Sequence, residues 1–509
     1  MTPSKVFQQP DTGTHRLPAF AKALDSTAFA LLLTAVVWAP WPLGSNRPWA
    51  LAILATLLWA GLTLAALARL APDCAAVRAS ALPATAWVPI AALSGFAGLL
   101  VAQLVPGLGT GGGTVSIDTF ATQHYLFTTG VYGGAWALVL LTTVSQERAG
   151  RLLGAVVAAG VCQATVAVVL YSTNWRYELW FAAFEQGGRS TGTFVNPDHL
   201  AGYMELTLSA GLGWLLAQFN PQSGMRSANW QAGLSAMLGF LLSPKMLLRL
   251  LLVVAVIALV MTHSRMGNGA FFIALFVVGA VVAWRSQRLR RPALWVVVSM
   301  AVVDVFIIGQ WVGLDRVVKR IKDTAEASIS SPSAPDSTAA FGSAAPTQRP
   351  PSEQSLQERL EVPLLSLKLV AAKPWLGHGG GTYVTAFPPY KVDGLPLLWD
   401  QAHNDFVQVA SDTGLLGLAL WLTTGLASAW RALRLIDDHQ SAINRGLGVA
   451  TLMAVFCMGL HSMVDFNLHI PANALTFTVL LALVWALPEQ RRRGEGQRIR
   501  KATSARDRA

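Results

Sequence analysis

The chain is poor in charge and in cysteine, and each shortage excludes a class of protein. Only 13% of its 509 residues are charged, about half the roughly 25% of an average soluble domain, which argues against an ordinary cytosolic enzyme. Three cysteines are too few and too scattered for a disulfide framework or a zinc centre; Cys162 and Cys457 sit inside apolar runs and Cys74 in a short polar connection. The glycine-rich GHGGGTY at 377–383 lacks a following GK[ST] and so is no phosphate-binding P-loop. No repeat relates the two halves, as would be usual in a secondary transporter. The first 25 residues are polar, and no cleavable signal peptide is expected before the first apolar run.

What is abundant is apolar. Hydrophobic residues make up 53% of the chain, with 18 Trp and 44 Gly, and the mean hydropathy is +0.46. A bilayer core needs about 20 apolar residues per helix. Twelve runs meet that need: 27–44, 49–70, 86–105, 128–145, 152–172, 198–218, 246–262, 268–284, 292–312, 412–430, 445–462 and 471–487. A shorter run near 233–243 reads as an interfacial helix. The fold expected is therefore an all-α integral membrane protein of about twelve transmembrane helices. The formal net charge of +11 follows the connections between spans. With the N-terminus (1–26) in the cytoplasm, Lys22, Arg69, Arg148, Arg151, Arg249, Arg285, Arg291, Arg431, Arg445 and the basic tail (488–509) all fall on that side. The tail is then a topology anchor, with no nucleic-acid partner implied.

One connection is long. Residues 313–411, between the ninth and tenth spans, form a large outer loop whose Ser/Pro/Ala-rich centre, 328–355, reads as disordered. Its second half regains helical spacing, with Leu360, Leu364, Leu367 and Val370 on one stripe.

Polar chemistry gathers on the outer face, which holds His124, His199, His263, His378, His403, His461 and His469. Arg189 and Arg265 sit at membrane boundaries on the translocated side, against the orientation rule, and a rigid guanidinium fork there suits an anion such as phosphate. GGRSTGTFVNPDHLAGYMEL enters the sixth span, with Asn196 as its helix cap and Pro197 in the first turn. Glu205, about two turns in, needs a partner. THSRMGNG sets Arg265 in a tight turn, HNDFVQVASDTGLLG sets His403 and Asn404 before the tenth span, and HSMVDFNLH supplies His461, Asp465 and His469. Asp465 can orient a histidine or an arginine, or cap a helix. These His and Asp separations match no metal spacing, so no metal and no cofactor are expected.

Together these motifs resemble the superfamily of O-antigen ligases and polymerases, bacterial envelope glycosyltransferases. Its members carry a stretch like RSTGTFVNPDHLAGYM, an SR turn after the next span and a large late periplasmic loop. The ligase pattern of His, then Asn, Ser or Gln, nine residues, then Gly-x-x-Gly is met by His403, Asn404, residues 405–413 and Gly414-Leu-Leu-Gly417. The P-x-x-G-x-G element is similar to Pro374-Trp-Leu-Gly377-His-Gly379. The likeness covers about 185–470, and the Ser/Pro-rich insert is longer than the family pattern.

The resemblance implies transfer of a glycan from undecaprenyl pyrophosphate to an acceptor hydroxyl on the periplasmic face of the inner membrane, without metal or nucleotide sugar. On that reading Arg189 and Arg265 hold the pyrophosphate and stabilise its departing charge. His403 takes the acceptor's proton, and attack opposite the leaving group inverts the anomeric carbon. Asn404, Asn196, His199, Glu205, His461 and Asp465 line or orient the substrates, and Arg359 is a further donor contact. The acceptor stays open: lipid A–core for a ligase, a lipid-linked glycan for a polymerase, a protein hydroxyl for an O-oligosaccharyltransferase. The complete histidine pattern puts the ligase first. A transporter or flippase is a remote alternative, since the polar residues crowd one interface rather than mid-membrane.

Overall fold

A computed structural model describes residues 16–70, 82–173, 188–218, 244–307, 356–391, 399–438 and 441–487. The expected interfacial helix near 233–243, the Ser/Pro-rich 328–355 and the basic tail lie outside these residues. Among the described residues there are helices and no strands. In chain order they are α1 (Arg16–Trp38), α2 (Pro48–Leu70), α3 (Trp87–Leu104), α4 (Thr119–Thr142), α5 (Gln146–Thr173), α6 (Pro197–Ala217), α7 (Pro244–Met261), α8 (Arg265–Arg285) and α9 (Arg290–Ile307). The loop helices α10 (Leu356–Ala372) and α11 (Tyr383–Ala386) follow, then α12 (Asp405–Ile436), α13 (Ala442–His461) and α14 (Pro471–Ala486).

Apolar helices thus stand on every expected span. Among the described residues, nine are long and apolar enough to cross a membrane; α7, α9 and α14 occupy the remaining three positions. Two helices outrun the expected spans. Asp118 accepts from the Ala121 amide at 3.0 Å and starts α4 at Thr119, two turns before the apolar run. Asn404 likewise caps α12, accepting from the Val407 amide at 3.0 Å.

α6 is the axis of the bundle: every residue from Asp198 to Gly213 is buried. Helices pack closely in lipid where small residues let backbones approach. A Cβ on Gly213 would lie 2.3 Å from the Gly446 carbonyl oxygen, and one on Gly446 would lie 2.5 Å from that of Gly213, so α6 and α13 touch backbone to backbone. Outer helices instead expose Trp59, Trp284, Trp295 and Ile273, as a hydrocarbon-facing surface permits. At the end of the bundle away from the histidines, Arg148 pairs with Asp25 at 2.6 Å and Arg69 approaches the same carboxylate at 3.8 Å. Two cations assigned to one side by sequence therefore do meet.

Residues 356–391 of the long loop dock on α12, and the contacts decide which face of α10 is buried. Leu364 and Leu367 of the expected stripe are 64% and 49% exposed; α10 instead buries Val362, Ser366 and Leu369, which pack with Tyr383, Phe387 and Trp399. Apolar residues occupy both faces of this helix, so the 3.6-residue period alone could not choose between them. The docking depends on a break in α12. Gly414 has φ +69, and this interruption frees carbonyls of the preceding turn. The amides of His378 and Gly379 donate to Ser411 O and Asp412 O, both at 2.9 Å, and Leu415 N donates to Pro374 O at 2.7 Å. Gln103 of α3 adds its amide to Asp412 O at 2.9 Å.

A side chain at Gly414 meets two obstacles, the left-handed φ and a Cβ 2.2 Å from the Trp375 oxygen. Gly414→Ala is expected to cost about 1–3 kcal/mol or more and to lower the thermal midpoint of the detergent-purified protein. Gly269→Ala in α8, where nothing lies within 4 Å, should leave it unchanged or raised.

Candidate active site

Four segments converge at the loop-bearing end of the bundle: the entry to α6, the turn between α7 and α8, the approach to α12 and the turn between α13 and α14. Each is set by local rules. Asn196 caps α6 through the Asp198 amide at 2.8 Å, with Pro197 in its first turn. Ser264 caps α8 through the Gly267 amide at 3.1 Å. Asn404 caps α12 and also donates its side-chain amide to Met463 O at 2.7 Å, tying the α12 approach to the α13–α14 turn.

Asp465 is the hub. It is 1% exposed, and three histidines from three segments surround it: His403 Nδ1 at 3.8 Å, His199 Nε2 at 4.0 Å and His461 Nε2 at 3.9 Å. His461 turns its other nitrogen to Glu205 at 2.7 Å, so the carboxylate expected to need a partner has one, and α6 is joined to α13 by a fully buried pair. Phe466 packs edge-on against both His199 and His403, with ring centroids 4.7 and 5.0 Å away. Trp399 closes the other side of His403 at 5.5 Å. His403 has φ +49, a backbone region costly for a side chain of this size and tolerated where the surroundings hold it.

Arg189 stands beside this cluster. Its guanidinium donates to Asp198 Oδ1 at 2.6 Å and to Thr262 O at 2.9 Å, and the neighbouring Ser190 amide bonds Met261 O at 2.9 Å. These contacts lay the arginine segment against the turn that carries Arg265. Arg265 is exposed at the first position of α8, where the helix dipole adds positive charge. The two arginines, His199, His403, His461, Glu205 and Asp465 thus belong to one end of the bundle. Asn196 and Asn404 have their side chains committed to helix caps. Arg359 lies on α10 with its side chain outside the described residues. His378 is buried against Leu369 O at 3.1 Å, and burial lowers its basicity. Among the described residues no group of three or more His, Cys, Asp or Glu is arranged to hold a metal ion.

Sequence reasoning passed over Asp405, treating it as part of a spacer. It is fully buried and accepts from Ser462 Oγ at 2.6 Å, His469 Nδ1 at 2.8 Å and the Leu468 amide at 3.2 Å. An acidic residue next to the motif's His-Asn pair was the available signal. His469 lines a cavity of about 670 Å³, together with Arg47, His124, Asp405 and apolar residues of α2–α4 and α12–α14. Burial alone would lower the His469 pKa, but the hydrogen bond and charge of Asp405 outweigh it and raise the value above the usual histidine range.

A histidine whose folded pKa is raised adds stability that is complete below its unfolded value and disappears as pH rises through the folded value. The thermal midpoint is therefore expected to fall as pH is raised from acid through neutral, and Asp405→Asn should flatten that slope. Differential scanning fluorimetry in detergent from pH 5 to 9, on wild type and variant, checks it; equal slopes would show that the pair does not titrate as described.

No curated protein matches the chain significantly. Residues 250–422, from α7 through the first half of α12, match the family model described as O-antigen ligase. That stretch contains the Ser264-Arg265 turn, the docked Gly377/Gly379 element and the whole His403–Gly417 motif. The match supports assignment of the chain to the O-antigen ligase and polymerase superfamily of membrane glycosyltransferases.

Proposed function

We propose that the chain is an O-antigen ligase, moving a glycan from undecaprenyl pyrophosphate to a hydroxyl of lipid A–core at the outer face of the bacterial inner membrane, both termini lying in the cytoplasm. The observation that carries the reading is the placement of His403: left-handed backbone, two aromatic walls and Asp465 at 3.8 Å.

In this reaction the acceptor hydroxyl attacks the anomeric carbon of the donor's first sugar. The bond from that carbon to the pyrophosphate oxygen breaks with inversion, and the hydroxyl proton passes to His403. Asp465 offers its carboxylate to the Nδ1 side of the ring, leaving Nε2 to take the proton. A 3.8 Å separation exceeds a hydrogen bond, and such contacts tighten once substrate is bound. The imidazolium that forms is stabilised by the buried carboxylate. Arg189 and Arg265 meet the departing pyrophosphate; Asp198 holds the Arg189 guanidinium in orientation, and Arg265 brings a free fork on a helix N-terminus. His199 and the His461–Glu205 pair fix the far side of Asp465. The chemistry requires no metal from these residues.

Purified wild type, His403→Ala and Arg265→Ala, incubated with undecaprenyl-pyrophosphate glycan and lipid A–core, provide the test. Wild type should give a ladder of glycosylated lipid on a gel. His403→Ala should lose about 10²–10⁴-fold in rate, and Arg265→Ala should lose about 10²–10³-fold. Elongation of lipid-linked glycan without lipid A–core would identify a polymerase instead. Variants as active as wild type would overturn the site assignment.

A further inference from the structure

The cavity beside His469 is not used by the chemistry above, and its construction is specific. At one end it is lined by residues from the connections: Ser45 and Arg47 before α2, His124 in the first turns of α4, Asp400 and His469. Deeper in, its walls are Leu51, Phe96, Trp421, Val455, Phe477 and Leu481. A polar mouth above an apolar shaft has the shape of an amphiphile's head and tail.

The mouth is built at a cost. Leu43, Gly44 and Ser45 all have positive φ, at 57, 66 and 57, and two of the three are not glycine, a strain that persists only where the surroundings enforce it. Phe194 of the α6 entry abuts Gly44, so this turn is tied to the active-site segment. Arg47 follows it, exposed. His469 is fixed from behind by Asp405 at 2.8 Å, its side chain 18% exposed, and its Nε2 has no hydrogen-bond partner within the protein. Tyr125 flanks the ring at 6.4 Å. Two cationic or proton-donating groups facing an apolar shaft suit a phosphate-bearing lipid; the exposed carboxylate of Asp400 shares the mouth.

The walls also say which lipid. Among the described residues none from α6, α7 or α8 lines the cavity, whereas Arg189 is bound to Asp198 of α6 and Thr262 after α7. His403 and Asp465 stand between, touching α6 through His199, with Asp405 two residues on in the cavity wall. An inverting displacement needs nucleophile and leaving group on opposite faces of the anomeric carbon. With pyrophosphate on the arginine side, the opposite side is this cavity.

Resting on the ligase reading, we propose that the cavity is the acceptor site: it seats a phosphorylated glycolipid with its apolar chain between α3/α4 and α12/α14, and His469, positioned by Asp405, is the anion-binding group at its mouth together with Arg47.

Binding separates this proposal from the transfer reaction on which it rests. Lipid A–core and undecaprenyl pyrophosphate are each titrated by native mass spectrometry against detergent-solubilised wild type, His469→Gln, Arg47→Gln and Gly425→Phe. Gly425 lines the shaft and has nothing within 4 Å of an added Cβ, so the last variant fills the cavity without a backbone clash. In each variant lipid A–core should bind about tenfold or more weakly, with undecaprenyl pyrophosphate binding unchanged. In the transfer assay KM for the acceptor should rise while kcat at saturating acceptor is largely kept. Loss of undecaprenyl pyrophosphate binding instead would make the cavity the donor's and overturn the proposal. So would unchanged lipid A–core binding in Gly425→Phe and His469→Gln, or a wild type that binds no lipid A–core. A wild type that binds both lipids but transfers nothing would sink the ligase reading alone, the cavity still being judged by the plug.

Discussion

The structure depends on a constraint of solvent: a carboxylate placed inside an apolar bundle must be compensated by groups brought to it. Asp465, Asp405 and Glu205 are all essentially inaccessible, and the cost of an uncompensated buried charge is several kcal/mol. Each is met by histidine or by amide and hydroxyl donors from another segment. These contacts join α6, the α12 approach, α13 and the turn before α14, segments separated by up to 256 residues in sequence. The compensation therefore closes the fold at one end and assembles the chemistry in the same act. Histidine suits both purposes, because it can accept a proton during a reaction and return it.

A second device is the break at Gly414. An uninterrupted helix keeps its carbonyls for its own amides; the left-handed glycine releases those of Ser411 and Asp412 to the Gly377–Gly379 segment. A loop that would otherwise lie over the membrane surface is thereby attached by backbone hydrogen bonds to a transmembrane helix. The same loop supplies Trp399 and His403, so the position of the proposed base is referred to the bundle rather than to a free loop. Preorganisation of this kind is what an acyl- or glycosyl-transfer site needs, since groups held within a fraction of an ångström of their working positions require no reorganisation during the reaction.

In the proposed reaction two lipid-linked substrates must meet at one carbon. The arginines on the α6–α8 side and the cavity on the α2–α4 and α12–α14 side are the two approaches this proposal assigns to them. On that reading Trp399 and His403, at the end of the long connection, stand where the two approaches would join.

Much was legible beforehand, for identifiable reasons. Helices in a bilayer satisfy their own backbone groups, so apolar runs of sufficient length mark them one by one. The cap at Asn196 was visible as a short-range pattern, whereas those at Ser264 and Asn404 emerged only with the structure. The arginines stood out because they violate a charge rule, and the histidine motif because its spacing is fixed by one helix and its break. Other features have no short-range signature. Which face α10 buries had no local signal, because apolar residues lie on both sides and only the docked Tyr383, Phe387 and Trp399 decide between them. Asp405 was unremarked because its neighbours His469 and Ser462 lie about sixty residues away. By itself, then, the sequence determined the helices and the kinds of residue gathered at one face, since these depend on neighbours within a turn or two. Which histidine faces which carboxylate, where the loop is anchored and that a cavity opens beside His469 were decided only by tertiary packing, because each is a contact between distant segments that no local pattern encodes.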